Sequence, residues 1–431
     1  MKKISLLLRW CAVGLTVGPL CGYVVVLFKR MATASSGLLY RDPAAWHYVT
    51  PLGGALVVAL LYLFVPRAAG EGMPAYVDAI RGGKRRLPFT VTVAKFFSAG
   101  IVLVSGGSGG MVGPVARITG GLGQDIGAVL ERIGLEAGVM RRAAICGAAA
   151  GISAVLGAPV AGGLFAVEIL YADGISYEDV FPALLSSATA FLVVYTRVDY
   201  EPFLGRLQHT GEVNLAYLPA IVAVALAATL FGAGFCVFFS RVREWLYSRI
   251  PRLSLRCLFG AAAVVAVAAV FGRGVLGPGT DFLKNIVVGG LPEIRGAGLD
   301  GLASPSFVAI AGFLLLLCVG KALSTTFTIG SGLSAGLTYP SILMGAALGA
   351  AGARLAGVDP AMYLETHYAF VACGVSAVLA SVMNIPLTSA ILVAELFGLN
   401  QSVPGIIGSV AAYSLARDIV IYRYQPAGTD G

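Results

Sequence analysis

Residues 105–118 read SGGSGGMVGPVARI, five glycines and one proline in fourteen residues, with long apolar sequence on both sides. Glycine weakens a helix and proline removes a hydrogen-bond donor. Inside a lipid bilayer a broken backbone is tolerated only where protein or a water-filled cavity surrounds it. Such a break at membrane depth marks where a transporter or channel meets its substrate. Proline suits the first turn of a helix, so Gly113-Pro114 reads as the point where the break runs into a new helix. The N–H groups of such an end carry partial positive charge and bind anions. The alternative is that the glycines serve only close helix packing.

The composition makes a membrane the setting. Of 431 residues, 58% are hydrophobic and 12% charged, a balance that excludes a soluble domain of this length. The apolar runs are far longer than barrel strands, so the expected class is an all-α polytopic membrane protein. The net charge is +8, and basic residues gather at segment ends: 2–3, 29–30, 81–86, 141–142 and 241–252. That is the pattern of cytoplasmic loops rather than of a nucleic-acid patch, so no nucleic-acid partner is expected. Residues 4–28 form a run too long for a signal peptide and without a small-residue cleavage site; it reads as a retained first span. The seven cysteines lie scattered through apolar runs with no metal-ligand spacing, and read as buried thiols. The sequence calls for no metal and no cofactor. It offers no nucleophile, metal cluster or His–Asp pair that would mark an enzyme.

The apolar segments differ widely in length. Residues 46–65, 89–104 and 180–195 read as spans, and 218–249 as a long helix. Residues 257–270 and 307–326 follow, with a short helix around 280–288 between them. Residues 72–80, 143–156 and 159–171 are short, the last two hinged at Gly157-Ala158-Pro159. Gly-interrupted segments return at 336–355, 362–382 and 386–399, and 403–415 is the last span. Many fall below the roughly 20 residues that cross a bilayer, so several must be tilted, re-entrant or half-spanning.

An internal repeat is visible. GAPVAGGLFAVEIL (157–170) parallels NIPLTSAILVAELF (384–397), and in each a proline is followed nine residues later by a glutamate: Pro159 and Glu168, Pro386 and Glu395. The glycine stretch has its own counterpart, IGSGLSAGLTYP (329–340). Pro114 precedes Pro159 by 45 residues, and Pro340 precedes Pro386 by 46. The chain therefore divides into halves 1–196 and 218–431, joined by 197–217. Paired Gly/Pro-broken segments point to a midplane site at the interface of two repeats, which favours the anion reading of the opening stretch.

These residues also resemble a known family. GEGMPAYVDAI (70–80), GGSGGMVGP (106–114) and GSGLSAGLTYP (330–340) are similar to the three anion-site signatures of the CLC chloride channels and transporters. GAPVAGGLFAVE resembles that family's helix ending in an acidic pair. Lys95 lies 17 residues before Val112, as the family's buried lysine would, and IYRYQ puts Tyr422 where the family has its pore-lining tyrosine. The resemblance covers nearly the whole chain. It implies a homodimer with one pore per subunit and an inverted repeat of about eighteen tilted, partly half-spanning helices. It also implies cytoplasmic termini in a bacterial inner (plasma) membrane, without the cytoplasmic nucleotide-binding domains of larger relatives.

The departures from the family pattern carry as much information. Its second signature has an Arg-Glu pair where this chain has Met111-Val112. That glutamate is the family's gate and external proton carrier, and valine can be neither. The second residue of the acidic pair, the family's internal proton site, is Ile169. The serine that contacts the central anion is Glu71, the phenylalanine of the third signature is Thr338, and Arg117 stands where a neutral polar residue is more usual.

Isolated intramembrane carboxylates are costly and default to a functional hypothesis. Ionised, Glu71 would repel an anion or occupy the site as a tethered one; protonated, it would release the site. The alternatives are an ion pair with Arg117 or a helix-start glutamate facing water. Lys95 and Lys321 read as structural, and Glu168 and Glu395 as architectural. The expected anion pathway comprises Glu71, Gly72, Met111, Val112, Gly113, Leu337, Thr338, Tyr339 and Tyr422. Glu71 and Val112 are the gate candidates, Ile169 stands at the internal proton position, and Arg117 is a charge partner. The expected function is a dimeric CLC-type channel or uncoupled transporter for chloride or a similar small anion in a lipid bilayer. The alternative is a proton-coupled chloride transporter in which Glu71 replaces the missing gating glutamate.

Overall fold

Two breaks in the helices meet at the centre of the molecule. Gly110 donates to the carbonyl of Gly336 at 2.7 Å and Gly336 donates to that of Gly110 at 2.8 Å, an antiparallel bridge between stretches far apart in sequence. A Cβ on Gly110 would lie 2.7 Å from Cβ of Tyr339, and one on Gly336 would lie 2.8 Å from the nitrogen of Gly113. Only glycine lets the two breaks close on each other. The computed structural model describes residues 2–40, 48–81, 86–134, 138–171, 175–197, 202–209, 211–290, 306–419 and 421.

Before the first break come α1 (Lys2–Tyr40), α2 (Thr50–Phe64), α3 (Met73–Arg81) and α4 (Phe89–Val104). After it come α5 (Val112–Arg132), α6 (Val139–Leu156), α7 (Pro159–Glu168) and α8 (Tyr177–Arg197). The connection leads to α9 (Leu218–Arg249), α10 (Leu253–Phe271), the short α11 (Thr280–Val287) and α12 (Phe307–Gly330). The second break is followed by α13 (Thr338–Leu355), α14 (Leu364–Met383), α15 (Pro386–Phe397) and α16 (Ser402–Ala416). The described residues thus hold sixteen α-helices and no strand beyond the glycine bridge, close to the expected eighteen.

Seven of these helices are long and apolar enough to cross a bilayer. α7 and α15, at ten and twelve residues, are half-spans. α14 has its whole apolar stretch enclosed by protein, which explains why it is apolar all round rather than striped. Glycine lets neighbouring helices come close: a Cβ on Gly123 of α5 would lie 2.1 Å from the carbonyl of Ala143, and one on Gly374 of α14 would lie 2.3 Å from that of Gly345. The hinge from α6 into α7 turns on Gly157 at φ +69°, and the hinge from α14 into α15 on Asn384 at φ +54°, the residue type that tolerates this region best after glycine.

Helix ends depart from the expectations where apolarity and helicity part company. α1 runs on past the apolar run 4–28 to Tyr40, through Lys29 and Arg30. Leaving the lipid ends the need for apolar side chains, not the helix. For the same reason α6 begins at Val139, ahead of the apolar run at 143, and carries Arg141 and Arg142 in its first turn. α7 stops at Glu168, short of residue 171.

Candidate functional site

The turn before α3 is held from behind. Gly70 donates to the carbonyl of Gly332 at 2.7 Å, and the buried Lys95 of α4 donates to the carbonyl of Ala68 at 3.1 Å and to that of Gly70. Gly72 follows at φ +110°, where a Cβ would lie 2.9 Å from the carbonyl of Gly113 and 3.1 Å from Cβ of Arg117. The turn therefore lies flat against the start of α5 and aims Glu71 at the junction of the two breaks. Glu71 is only 6% exposed. Its Oε1 accepts a hydrogen bond from the backbone N–H of Leu337, 266 residues away, at 3.3 Å. A Cβ on Gly113 would lie 3.1 Å from Cγ and Oε1 of Glu71, so the carboxylate also rests against the first turn of α5. Met111 and Leu337 are the N-caps of α5 and α13, and neither caps its helix with a side chain. Two positive helix ends thus face one carboxylate, and their N–H groups suit a negative charge at that point.

Glu71, Gly72, Gly113 and Leu337 are brought together. Val112 is fully buried and Met111 half-buried. Thr338 is buried, and its hydroxyl has no hydrogen-bond partner among the described residues. Tyr339 packs its ring on Phe203 of the connection, centroids 4.7 Å apart. Ile169 is buried at the C-terminal end of α7. Tyr422 lies outside the described residues. Arg117 is buried, but its guanidinium donates to Thr92 of α4 at 3.1 Å, and it forms no ion pair with Glu71 among the described residues. Its place in sequence, one turn into α5, fixes its height along the helix but not the direction of its long side chain. Nor does Glu71 face open water; it is buried, on the wall of a small cavity.

Several contacts have no sequence signal of their own. The hydrogen bond to Leu337 is made by a backbone N–H, which every non-proline residue possesses. Arg243 lines the cavity beside Glu71, and nothing sets it apart from the other basic residues of 241–252. Lys321 repeats the geometry of Lys95, from which it stands 226 residues away: it donates to the carbonyls of Val275 at 3.4 Å and Gly277 at 2.6 Å.

Comparison with known proteins agrees with this architecture. The chain is 24% identical over 428 residues to a chloride/fluoride channel protein of Pseudomonas syringae pv. tomato, covering 97% of this chain and 87% of the relative. It is 27% identical over 434 residues to the H(+)/Cl(-) exchange transporter ClcA of Klebsiella pneumoniae subsp. pneumoniae, covering 93% and 84%. Among solved structures, a CLC-type fluoride/proton antiporter superposes with a TM-score of 0.80 at 20% identity, covering 98% of each chain. A slow cyanobacterial Cl-/H+ antiporter gives 0.75 at 20% identity, covering 94% of this chain and 95% of that one. The family model for voltage gated chloride channels matches residues 53–417, so the chain belongs to the CLC family and is an integral membrane protein.

Proposed function

We propose that the protein is a homodimeric anion channel or uncoupled anion transporter, most simply for chloride, in which Glu71 is a tethered competitor for the central anion. The observation that carries this reading is the hydrogen bond from Leu337 N–H to Glu71 Oε1 at 3.3 Å. A side-chain carboxylate there satisfies the backbone donor that an anion would otherwise use. When the carboxylate leaves, the N–H ends of α5 and α13 offer partial charges only, which attract an anion without trapping it, as conduction requires. Two curated relatives are named for anion transport, one as a channel and one as a proton exchanger. Within this reading the halves 1–196 and 218–431 each supply one of the facing helix ends, and the termini lie in the cytoplasm of a bacterial cell. The protein moves ions and performs no covalent chemistry.

Uncoupled flux is favoured because Val112 and Ile169 carry no ionisable group at the family's two proton stations. A second reading, proton-coupled exchange, draws on one observation: Glu71 is itself a protonatable group seated at the anion's place. The reversal potential of purified protein in liposomes, under combined chloride and pH gradients, separates them. An uncoupled conductor reverses at the chloride equilibrium potential whatever the pH gradient, and an exchanger shifts with it.

A further inference from the structure

Glu71 borders a second space besides its seat on Leu337. A cavity of about 30 Å³, against roughly 10–15 Å³ needed for one water, lies between the turn at 70–72 and α9. Among the described residues, Phe239, Ile329 and Ile421 form its apolar wall, and its polar groups are the Glu71 carboxylate, the Arg243 guanidinium and Tyr247. Arg243 belongs to the basic end of α9 and lies over the Tyr247 ring, 5.5 Å from its centroid. Among the described residues it makes no hydrogen bond and no ion pair.

The other cations near Glu71 are committed. Lys95, on α4, holds the carbonyls of Ala68 and Gly70. Arg117, on α5, donates to Thr92. Arg256, on α10, stacks 3.5 Å from the centroid of the same Tyr247 ring while donating to the carbonyls of Ser331 at 3.0 Å and Ile250 at 3.2 Å. Among these described cations only Arg243 has no hydrogen bond or ion pair to give up in following the carboxylate. An ionised carboxylate that left Leu337 for an apolar space would be strongly penalised unless a cation met it there.

We propose that this cavity is the second seat of the Glu71 side chain and that Arg243 is the residue that holds it there. On Leu337 the carboxylate blocks the anion site; in the cavity it pairs with Arg243 and leaves the N-terminal ends of α5 and α13 to the anion. This rests on Glu71 being the gate, as read above. Arg243 is then a positioning residue for the gate, acting on the anion through Glu71.

A double-mutant cycle tests it. Initial chloride efflux from liposomes, at one pH and one ionic strength, is measured for the parent, Arg243→Gln, Arg243→Lys, Glu71→Gln and Glu71→Gln/Arg243→Gln. Removing a charge-assisted partner from the open seat should lower parental flux about ten-fold, and Arg243→Lys should restore most of it. In the Glu71→Gln background the Arg243→Gln change should cost less than about two-fold, because the two act as one unit. An equal loss in both backgrounds would mean that Arg243 acts on the anion directly, and no loss in the parent would mean the cavity is not used; either overturns the proposal. Glu71→Gln alone tests the gate: if it does not raise flux, the reading of Glu71 fails independently of Arg243.

Discussion

Glu168 and Glu395 cap each other's helices. Glu168 closes α7 and accepts the N–H groups of Leu387 at 2.9 Å and Thr388 at 2.7 Å, in the first turn of α15. Glu395, on α15, accepts those of Val160 and Ala161, both at 2.8 Å, in the first turn of α7. Both helices open on a proline that follows a hinge, so neither has a side-chain cap of its own. Each carboxylate meets two orphan donors and the positive end of a helix dipole. The Pro-to-Glu spacing of nine residues therefore makes two half-spanning helices mutually dependent.

Glu168→Ala and Glu395→Ala should each lower stability without altering anion selectivity. A hydrogen bond to a charged group contributes about 1.5–3 kcal/mol, and the cost should be greater at Glu168, which is 6% exposed, than at the half-buried Glu395. Thermal unfolding in detergent, paired with the ratio of chloride to bromide efflux, checks this. Unchanged stability with altered selectivity would show the carboxylates to be part of the pathway instead.

Lys95 and Lys321 make matching contacts with unequal consequences. Each buried ammonium donates to two backbone carbonyls, and replacing it by methionine orphans both, at about 1–3 kcal/mol each. Lys95 alone holds the carbonyl of the residue preceding Glu71. Lys95→Met and Lys321→Met should therefore both lower the unfolding temperature, while only Lys95→Met should change the flux ratio between acid and neutral pH. An equal change in both variants would detach Glu71 from the Lys95 anchor.

Much of the fold is legible in the sequence because lipid enforces apolar runs of span length. α9 and α4 begin and end where those runs do. The overrun of α1 was not legible, since composition marks the lipid boundary and not the end of hydrogen bonding. In the site, the glycine breaks and the misfit carboxylate at Glu71 stand out by residue type. The direction of a side chain does not: Arg117 reads as a neighbour of Glu71 by spacing, yet it turns to Thr92. Arg243 lies in a run of similar residues, and only the packing of α9 on the 70–72 turn distinguishes it.

Coupling follows from the two apolar substitutions. Val112 is buried at the start of α5 and Ile169 at the end of α7, so neither position that the family resemblance marks as a proton station carries an ionisable group. A chloride gradient, with the membrane potential clamped, should drive no uphill proton movement in liposomes. Proton uptake at a fixed ratio to chloride that Glu71→Gln abolishes would establish the exchanger reading. Uptake that survives Glu71→Gln would require a proton route through other residues.

With Glu71 as the proposed gate, the expected pH response has a definite sign. The ionised carboxylate is the strong acceptor for Leu337 N–H and carries the charge that competes with an anion. Protonation removes the charge and weakens the hydrogen bond, so under the proposed reading the carboxyl competes with the anion more strongly above its pKa than below it. Flux should rise as pH falls, by about ten-fold or more, the equivalent of one hydrogen bond to a charged partner at roughly 1.5–3 kcal/mol. Glu71→Gln imitates the neutral form, and Glu71→Ser removes the carboxylate altogether. Both should conduct at high pH with most of the pH dependence gone. Initial chloride efflux is to be measured from about pH 3 to 8, a range that brackets the reference value of about 4.3 for glutamate. Lys95, Arg117 and Arg243 are intact in Glu71→Gln, so any pH dependence of their own would persist in that variant. A Glu71→Gln curve that overlays the parent's would assign the response to those cations and leave the carboxylate as a fixed part of the turn.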